Sequence, residues 1–200
     1  MTAKKETDML LVTRFQQGDK FAFDILVVKY QHKLMRLISR LIPNQAQAED
    51  VVQETFIRAF RSLHQFRGDA AFYTWLYRIG INTAKNSLIT CARREPLMED
   101  ADFSDEEGGF GKADLRDLNT PESVLISKQI AAAINKALDS LPLELRTAIV
   151  LREVEGLSYD DIAILMKCPV GTVRSRLFRA RDFIAEHLKP IIDAQQDSRW

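Results

Sequence analysis

Four arginines, Arg174, Arg176, Arg179 and Arg181, fall within eight residues of one another, with Ser175 and Phe178 among them. A guanidinium is a rigid fork of donors that matches phosphate oxygens and the O6/N7 edge of guanine, so such a helix either reads a DNA groove or is a basic, solvent-facing helix. A second set, Thr74, Arg78, Asn82 and Lys85, steps i, i+4, i+8, i+11, with Trp75 beside it and Phe66, Arg67 and Arg61 close in sequence. Basic groups track phosphates while aromatic faces and an amide hold unstacked bases, so the combination suggests single-stranded DNA, although each aromatic alone also suits a core. A third set, Asp50, Gln53, Glu54, Ile57, Arg58 and Arg61, shares one face of a helix-periodic segment. An isoleucine amid charges reads either as ordinary solvation or as a docking surface.

Other chemistry lacks its residues. No G-x-S-x-G, H-E-x-x-H or C-x-x-C occurs, and the glycine-rich run before Lys112 has Glu106 where a phosphate loop needs glycine and Ala113 where it needs Ser or Thr. Cys91 and Cys168 lie far apart, and His32, His64 and His187 never fall at zinc-site spacing. The expectation is a protein without catalytic residues, metal or cofactor.

The elements that must position these groups read as helices. With 46% hydrophobic residues among 200 the chain can bury a core, while eight glycines and six prolines are too few for a barrel with a turn every ten residues. No run approaches the ~20 apolar residues of a membrane span, and the start lacks a signal-peptide core, so membrane insertion is not expected and the location expected is cytoplasmic. The zero net charge hides a division along the chain. Residues 1–94 hold 15 basic and 8 acidic residues, net +7; 95–123 hold 2 and 10, net −8; 124–200 hold 11 and 10, net +1. The acidic strip has Gly-Gly, scattered aliphatics and no sustained period, so it reads as a flexible linker between domains 1–94 and 124–200.

In the first block Asp19 is a candidate cap for a segment in which Phe23, Leu26, Val27, Tyr30, Leu34, Leu37, Ile38 and Leu41 keep helical rhythm to Pro43. A second helix turns Val52, Thr55, Phe56, Ala59 and Leu63 inward, and Asp69 is a candidate N-cap for a third that carries the Thr74–Lys85 stripe. In the second block a helix over 124–139 breaks at Leu141-Pro142, and the next ends at Gly156. Ser158 and Asp161 form a capping box for a short helix, Cys168-Pro169-Val170 makes a turn, and a final helix from Gly171 buries Val173, Leu177, Ala180 and Ile184. A short helix, tight turn and arginine-bearing helix predict a helix-turn-helix.

The blocks DVVQETFIRAFRSL, FRGDAAFYTWLYRIGINTAKN and LREVEGLSYDDIAILMKCPVGTVRSRLFRAR together resemble the signature segments of the extracytoplasmic-function sigma factors, of the sigma-E/AlgU type. The likeness covers nearly the whole chain, with the blocks in the family's order and separation. It implies an all-α protein of two helical domains on a flexible linker, which binds core RNA polymerase and directs it to particular promoters without being an enzyme. By resemblance, Asp50, Gln53, Glu54, Ile57 and Arg58 fall on the polymerase-docking helix. Phe66, Arg67, Thr74, Trp75, Arg78, Asn82 and Lys85 match the part that captures the melted −10 strand, and Arg174, Ser175, Arg176, Phe178 and Arg179 match the helix that reads the duplex −35 element. The resemblance also implies inhibition by an anti-sigma factor, often membrane-anchored and released by envelope stress. The alternative is a stand-alone helix-turn-helix regulator, which binds duplex DNA without polymerase; a helical adaptor that never touches DNA is more distant.

Overall fold

The computed structural model describes the backbone of residues 2–94 and 121–197, and side-chain surroundings over 7–91 and 129–190. Most of the expected linker, residues 95–120, lies outside the described residues. Among the described residues every regular element is a helix. The chain divides into two compact units, Met1–Met98 with Val150–Val170, and Glu99–Ile149 with Gly171–Trp200. The stretch 150–170 therefore groups with the N-terminal helices, across the expected boundary at 95–123, and the Glu155 carboxylate accepts from Arg36 and Tyr77 of those helices.

The first unit is built on α1 (Thr2–Gln16), α2 (Phe21–Ser39), α3 (Gln45–Ser62) and α4 (Phe72–Arg94). Leu11, Val12 and Phe15 of α1 are buried with Phe23, Leu26 and Tyr30 of α2, Ala59 of α3 and Phe72 and Leu76 of α4. Helix α1 lies beyond the expected elements, because its three core residues are too few to announce a period. The cap position of α2 falls on Lys20, one residue after the expected Asp19, and Lys20 makes no side-chain cap bond; Asp19 still serves the first turn, with its Oδ1 accepting from Phe21 N at 3.1 Å and its carbonyl from Ala22 N at 3.2 Å. Arg14 donates to Asp19 Oδ2 at 2.6 Å, and this bond holds the carboxyl below its ordinary value. Asn44 caps α3 by accepting from Gln47 N at 2.9 Å. The expected cap at Asp69 is corrected: the first bond of α4 runs from Trp75 N to Ala71 O at 3.1 Å, so Ala71 takes the cap position and the helix starts at Phe72, three residues beyond Asp69.

The second unit holds α5 (Pro121–Ser140) and α6 (Leu143–Ile149), separated by the expected break. Here Arg146 is only 8% exposed, and its guanidinium donates to the carbonyls of Asp139 and Leu141, tying the corner between the two helices. Burial pushes its pKa below the ordinary value. The chain continues through a π-helical turn, Val150–Val154, in which Glu155 N donates to Val150 O at 3.2 Å, and Gly156 ends it at φ +66°. Next come α7 (Tyr159–Met166) and α8 (Val170–Asp197). Ser158 Oγ accepts from Asp161 N at 3.1 Å and donates to Asp161 Oδ2 at 2.8 Å, so the expected pair caps α7. Helix α8 runs beyond its expected end near residue 188 and carries Pro190 inside.

Candidate nucleic-acid and protein interface

Helices α7 and α8 are joined by Lys167, Cys168 and Pro169, which gives the predicted helix-turn-helix order. Lys167 bends the chain at φ +51°, a left-handed conformation that a glycine adopts more readily, and Cys168 N closes the turn on Ala163 O at 3.1 Å. The burial of Val173, Leu177 and Ala180 at i, i+4, i+7 fixes the outward face of α8. Arg174, Ser175, Phe178 and Arg179 line one open surface pocket there, and Phe178 is 71% exposed. Ser175 Oγ donates back to Gly171 O at 3.0 Å, which orients the hydroxyl along the helix. Arg176, expected on the flank of this face, lies outside that pocket, partly buried, and its Nη2 donates to Glu144 Oε2.

On α4, Asn82 is exposed and Arg78 and Lys85 are partly buried, so three of the four stripe residues reach the surface. Thr74 does not; it is 3% exposed. Helix α4 packs against α1, α2, α3 and α7, which leaves its polar edge narrower than a helical wheel suggests. Phe66 is likewise interior at 9%, with its ring centroid 5.1 Å from Trp75 and 6.2 Å from Phe72. It supports the partly buried Trp75 from below and offers no free face for stacking. The preceding loop is held by a residue the sequence did not flag: Gln16 Nε2 donates to Leu63 O at 3.1 Å and to Phe66 O at 3.0 Å. Gly68 then takes φ +79°, and an added Cβ would lie 2.9 Å from Met9 Cε, so the loop both requires glycine and leaves the neighbouring Arg67 exposed.

The α3 face assembles as expected. Ala48, Val51, Val52, Thr55 and Ala59 are buried, while Asp50, Gln53, Ile57 and Arg58 are exposed on the other side and Glu54 is partly buried. Arg58 Nε donates to Glu54 Oε1 at 2.6 Å, one helical turn apart. Ile57 is 42% exposed, and Phe60, three residues on, adds a further 39%-exposed apolar group. Phe60 was not among the expected residues; its i+3 spacing from Ile57 is the signal that could have found it.

Residues 26–94 match the family profile Sigma-70 region 2, and residues 131–184 match Sigma-70, region 4. The chain is 53% identical over 190 residues to the RNA polymerase sigma-H factor of Pseudomonas aeruginosa, covering 94% of this chain and 97% of that one. It is 50% identical over 186 residues to the ECF RNA polymerase sigma-E factor of Escherichia coli K12, covering 93% and 96%. Among solved structures, the sigma factor RpoE bound to the anti-sigma factor NepR from Bartonella quintana superposes with a TM-score of 0.64 at 26% identity, over 84% of this chain and 96% of that one. CnrH in complex with the cytosolic domain of CnrY shares the fold, with a TM-score of 0.65 at 23% identity over 92% and 98%.

Proposed function

The chain belongs to the extracytoplasmic-function sigma factors of RNA polymerase, and from that premise we propose how its surfaces divide the work of initiation. Residues 1–94 form the unit for polymerase and the −10 element, 124–200 the unit for the −35 element, and 95–123 the linker. Asp50, Gln53, Glu54, Ile57 and Arg58 dock on core polymerase, with Ile57 as the desolvated centre of a charged face. Arg67, Trp75, Arg78, Asn82 and Lys85 hold the melted strand, with Phe66 and Thr74 supporting them from within. Arg174, Ser175, Phe178 and Arg179 read the −35 duplex, while Arg176, engaged by Glu144, contributes charge at the groove wall.

The observation that carries this reading is the gathering of Arg174, Ser175, Phe178 and Arg179 into one outward pocket opposite the buried Val173, Leu177 and Ala180. Two arginines, a hydroxyl and an exposed aromatic ring on one helix face match what a major groove offers: guanine acceptors, phosphates and thymine methyls. The protein acts in the cytoplasm as an initiation factor rather than as an enzyme, and an anti-sigma factor, membrane-anchored in the envelope-stress version of this reading, restrains it. The complex of RpoE with NepR supports that partner class.

Holoenzyme carrying Asn82→Ala or Lys85→Ala is expected to bind duplex promoter but to open it poorly, with a pre-melted bubble restoring activity, since contacts to unpaired bases form only after melting. Failure of the bubble to rescue, with closed-complex formation already lost, would assign the stripe to duplex binding. For the docking face, Gln53→Ala with Glu54→Ala should weaken co-purification with core polymerase at a melting temperature little changed, because Gln53 is exposed and a solvent-facing i,i+4 pair such as Glu54–Arg58 contributes less than ~0.5 kcal/mol.

A further inference from the structure

Gln16 is a polar side chain that belongs to none of the three surfaces. It is the last residue of α1, and the backbone fixes the end of that helix: Gly18 takes φ +104°, Gly18 N donates to Phe15 O at 2.9 Å and Asp19 N to Arg14 O at 3.0 Å. These two bonds form a Schellman closure, so the place of Gln16 follows from the glycine two residues on. Helix α1 is tied to α2 in turn through buried Asp8, which accepts from Lys29 Nζ and Tyr30 Oη.

From that position Gln16 reaches the short turn Leu63–Gln65 that leads out of α3. Its Nε2 donates to Leu63 O at 3.1 Å and to Phe66 O at 3.0 Å, bracketing a turn that Phe66 N closes on Leu63 O at 3.1 Å. Phe15, the residue before it, lays its ring centroid 4.8 Å from that of His64 in the same turn. Beyond the turn, among the described residues, 67–70 make no backbone-to-backbone hydrogen bond, and the next such bond opens α4 at Ala71 O. Arg67 and Asp69 are exposed on this stretch. Its path is therefore set at its two ends, by Gln16 on one side and by α4 on the other, with Met9 of α1 filling the space that a Cβ on Gly68 would need.

We propose that Gln16 is a positioning residue for the melted strand: its two bonds preset the 66–69 loop, so that base preference at the −10 element depends on a helix that does not itself contact DNA. The inference rests on the reading above that gives Arg67 and the α4 stripe to that strand. A loop with no backbone bonds of its own must be ordered each time it receives a base, and that entropy cost blunts the difference between a good base and a poor one. A loop held in shape beforehand avoids the cost. Losing the clamp should therefore lower discrimination among unpaired bases and leave recognition of the upstream duplex untouched.

The test uses core polymerase with the full chain on promoters that keep one −35 sequence and are randomised over the −10 positions, both as duplex and as pre-melted bubble, with the transcripts sequenced. Gln16→Ala should flatten preference at one or two −10 positions by about three- to tenfold on both templates, the scale of one net hydrogen bond. Gln16→Glu keeps the size of the side chain but sets a carboxylate against two carbonyls, so it should flatten preference further than alanine does. Co-purification with core polymerase and the circular dichroism of both variants should match wild type. Glutamate that keeps preference better than alanine would show that the side chain only fills space, and a loss shared equally by all sequences would show a general effect of charge or folding; either overturns the positioning role. Arg67→Ala and Asn82→Ala separate this role from the reading beneath it. Preference relaxed by those two but unchanged in both Gln16 variants overturns the role of Gln16 alone, whereas preference unchanged by Arg67→Ala and Asn82→Ala overturns the melted-strand reading and the role of Gln16 with it.

Discussion

Asp8 is 3% exposed and accepts from both Lys29 Nζ and Tyr30 Oη, pinning α1 to α2 through a buried charge. Removing a partner from such a network leaves the others desolvated and unpaired, so Asp8→Ala should destabilise the protein by about 3 kcal/mol in urea titration, well beyond a surface substitution. The buried phenols predict a pH dependence. Tyr30 and Tyr77 are both held protonated above the ordinary value of 10.0, by burial first and by Asp8 and Glu155 next. A raised folded-state pKa contributes stability that is complete below the unfolded value and is lost as pH rises, so stability should fall from about pH 10 upward, where only the unfolded chain ionises. Tyr30→Phe should make that alkaline slope shallower; an unchanged slope would show that Tyr30 ionises freely in the folded state.

The arginines of α8 separate at the same scale. Arg179 lies in the outward pocket, whereas Arg176 is bonded to Glu144. Arg179→Ala is expected to lose ~1–3 kcal/mol of −35 binding and relax preference at one or two base pairs, while Arg176→Ala should weaken all sequences alike and lower the salt slope by about one unit. Ranked binding of −35 variants at two salt concentrations distinguishes them, and a wild-type ranking for Arg179→Ala would remove that residue from base reading.

At the scale of elements, close packing sets the geometry of α4, the helix proposed to hold the melted strand. A Cβ on Gly80 of α4 would lie 2.9 Å from Leu34 Cδ1, 3.5 Å from Ile38 Cδ1 and 3.6 Å from Thr55 Cγ2. Gly80→Val should therefore force α4 off α2 and α3 and cost about 1–3 kcal/mol by thermal or urea unfolding. The turn before α8 predicts the opposite sign. Lys167 sits at φ +51°, so Lys167→Gly should stabilise the protein by up to ~1 kcal/mol, the strain relieved exceeding the added freedom of the unfolded chain.

The same elements explain what periodicity could and could not reveal. The core of α3, the cap at Ser158 and the outward face of α8 were legible because each rests on local spacing. Thr74 and Phe66 were misplaced because their burial depends on what packs on α4 and on Trp75, which a helical wheel does not contain. Gln16 acts across 47 and 50 residues, and Glu155 reaches back 78 residues to Tyr77 and 119 to Arg36; a single sequence carries no signal for pairings of that range.

For the whole molecule, charge and tether act together. Residues 95–123 carry net −8 beside the +7 of residues 1–94. Opposite charges on one chain meet at high effective concentration, so the acidic strip is expected to compete with DNA phosphates for basic surface in the free protein. Replacing Glu99, Asp100, Asp102, Asp105, Glu106 and Glu107 with serine and glutamine at constant length should raise non-specific DNA affinity of the free chain, most at low salt where screening is weakest. An affinity unchanged at every ionic strength would make the strip a spacer only.

The division of labour between the surfaces is tested most directly by transcription from a template pool randomised at both the −35 and −10 positions, with core polymerase and the purified full chain, and sequencing of the transcripts. Two separated blocks of base preference should emerge only when the chain is present; Arg179→Ala should relax the upstream block alone and Asn82→Ala should weaken initiation through the downstream one. A single palindromic block bound equally well by the chain without polymerase, or relaxation of the downstream block by Arg179→Ala, would contradict it.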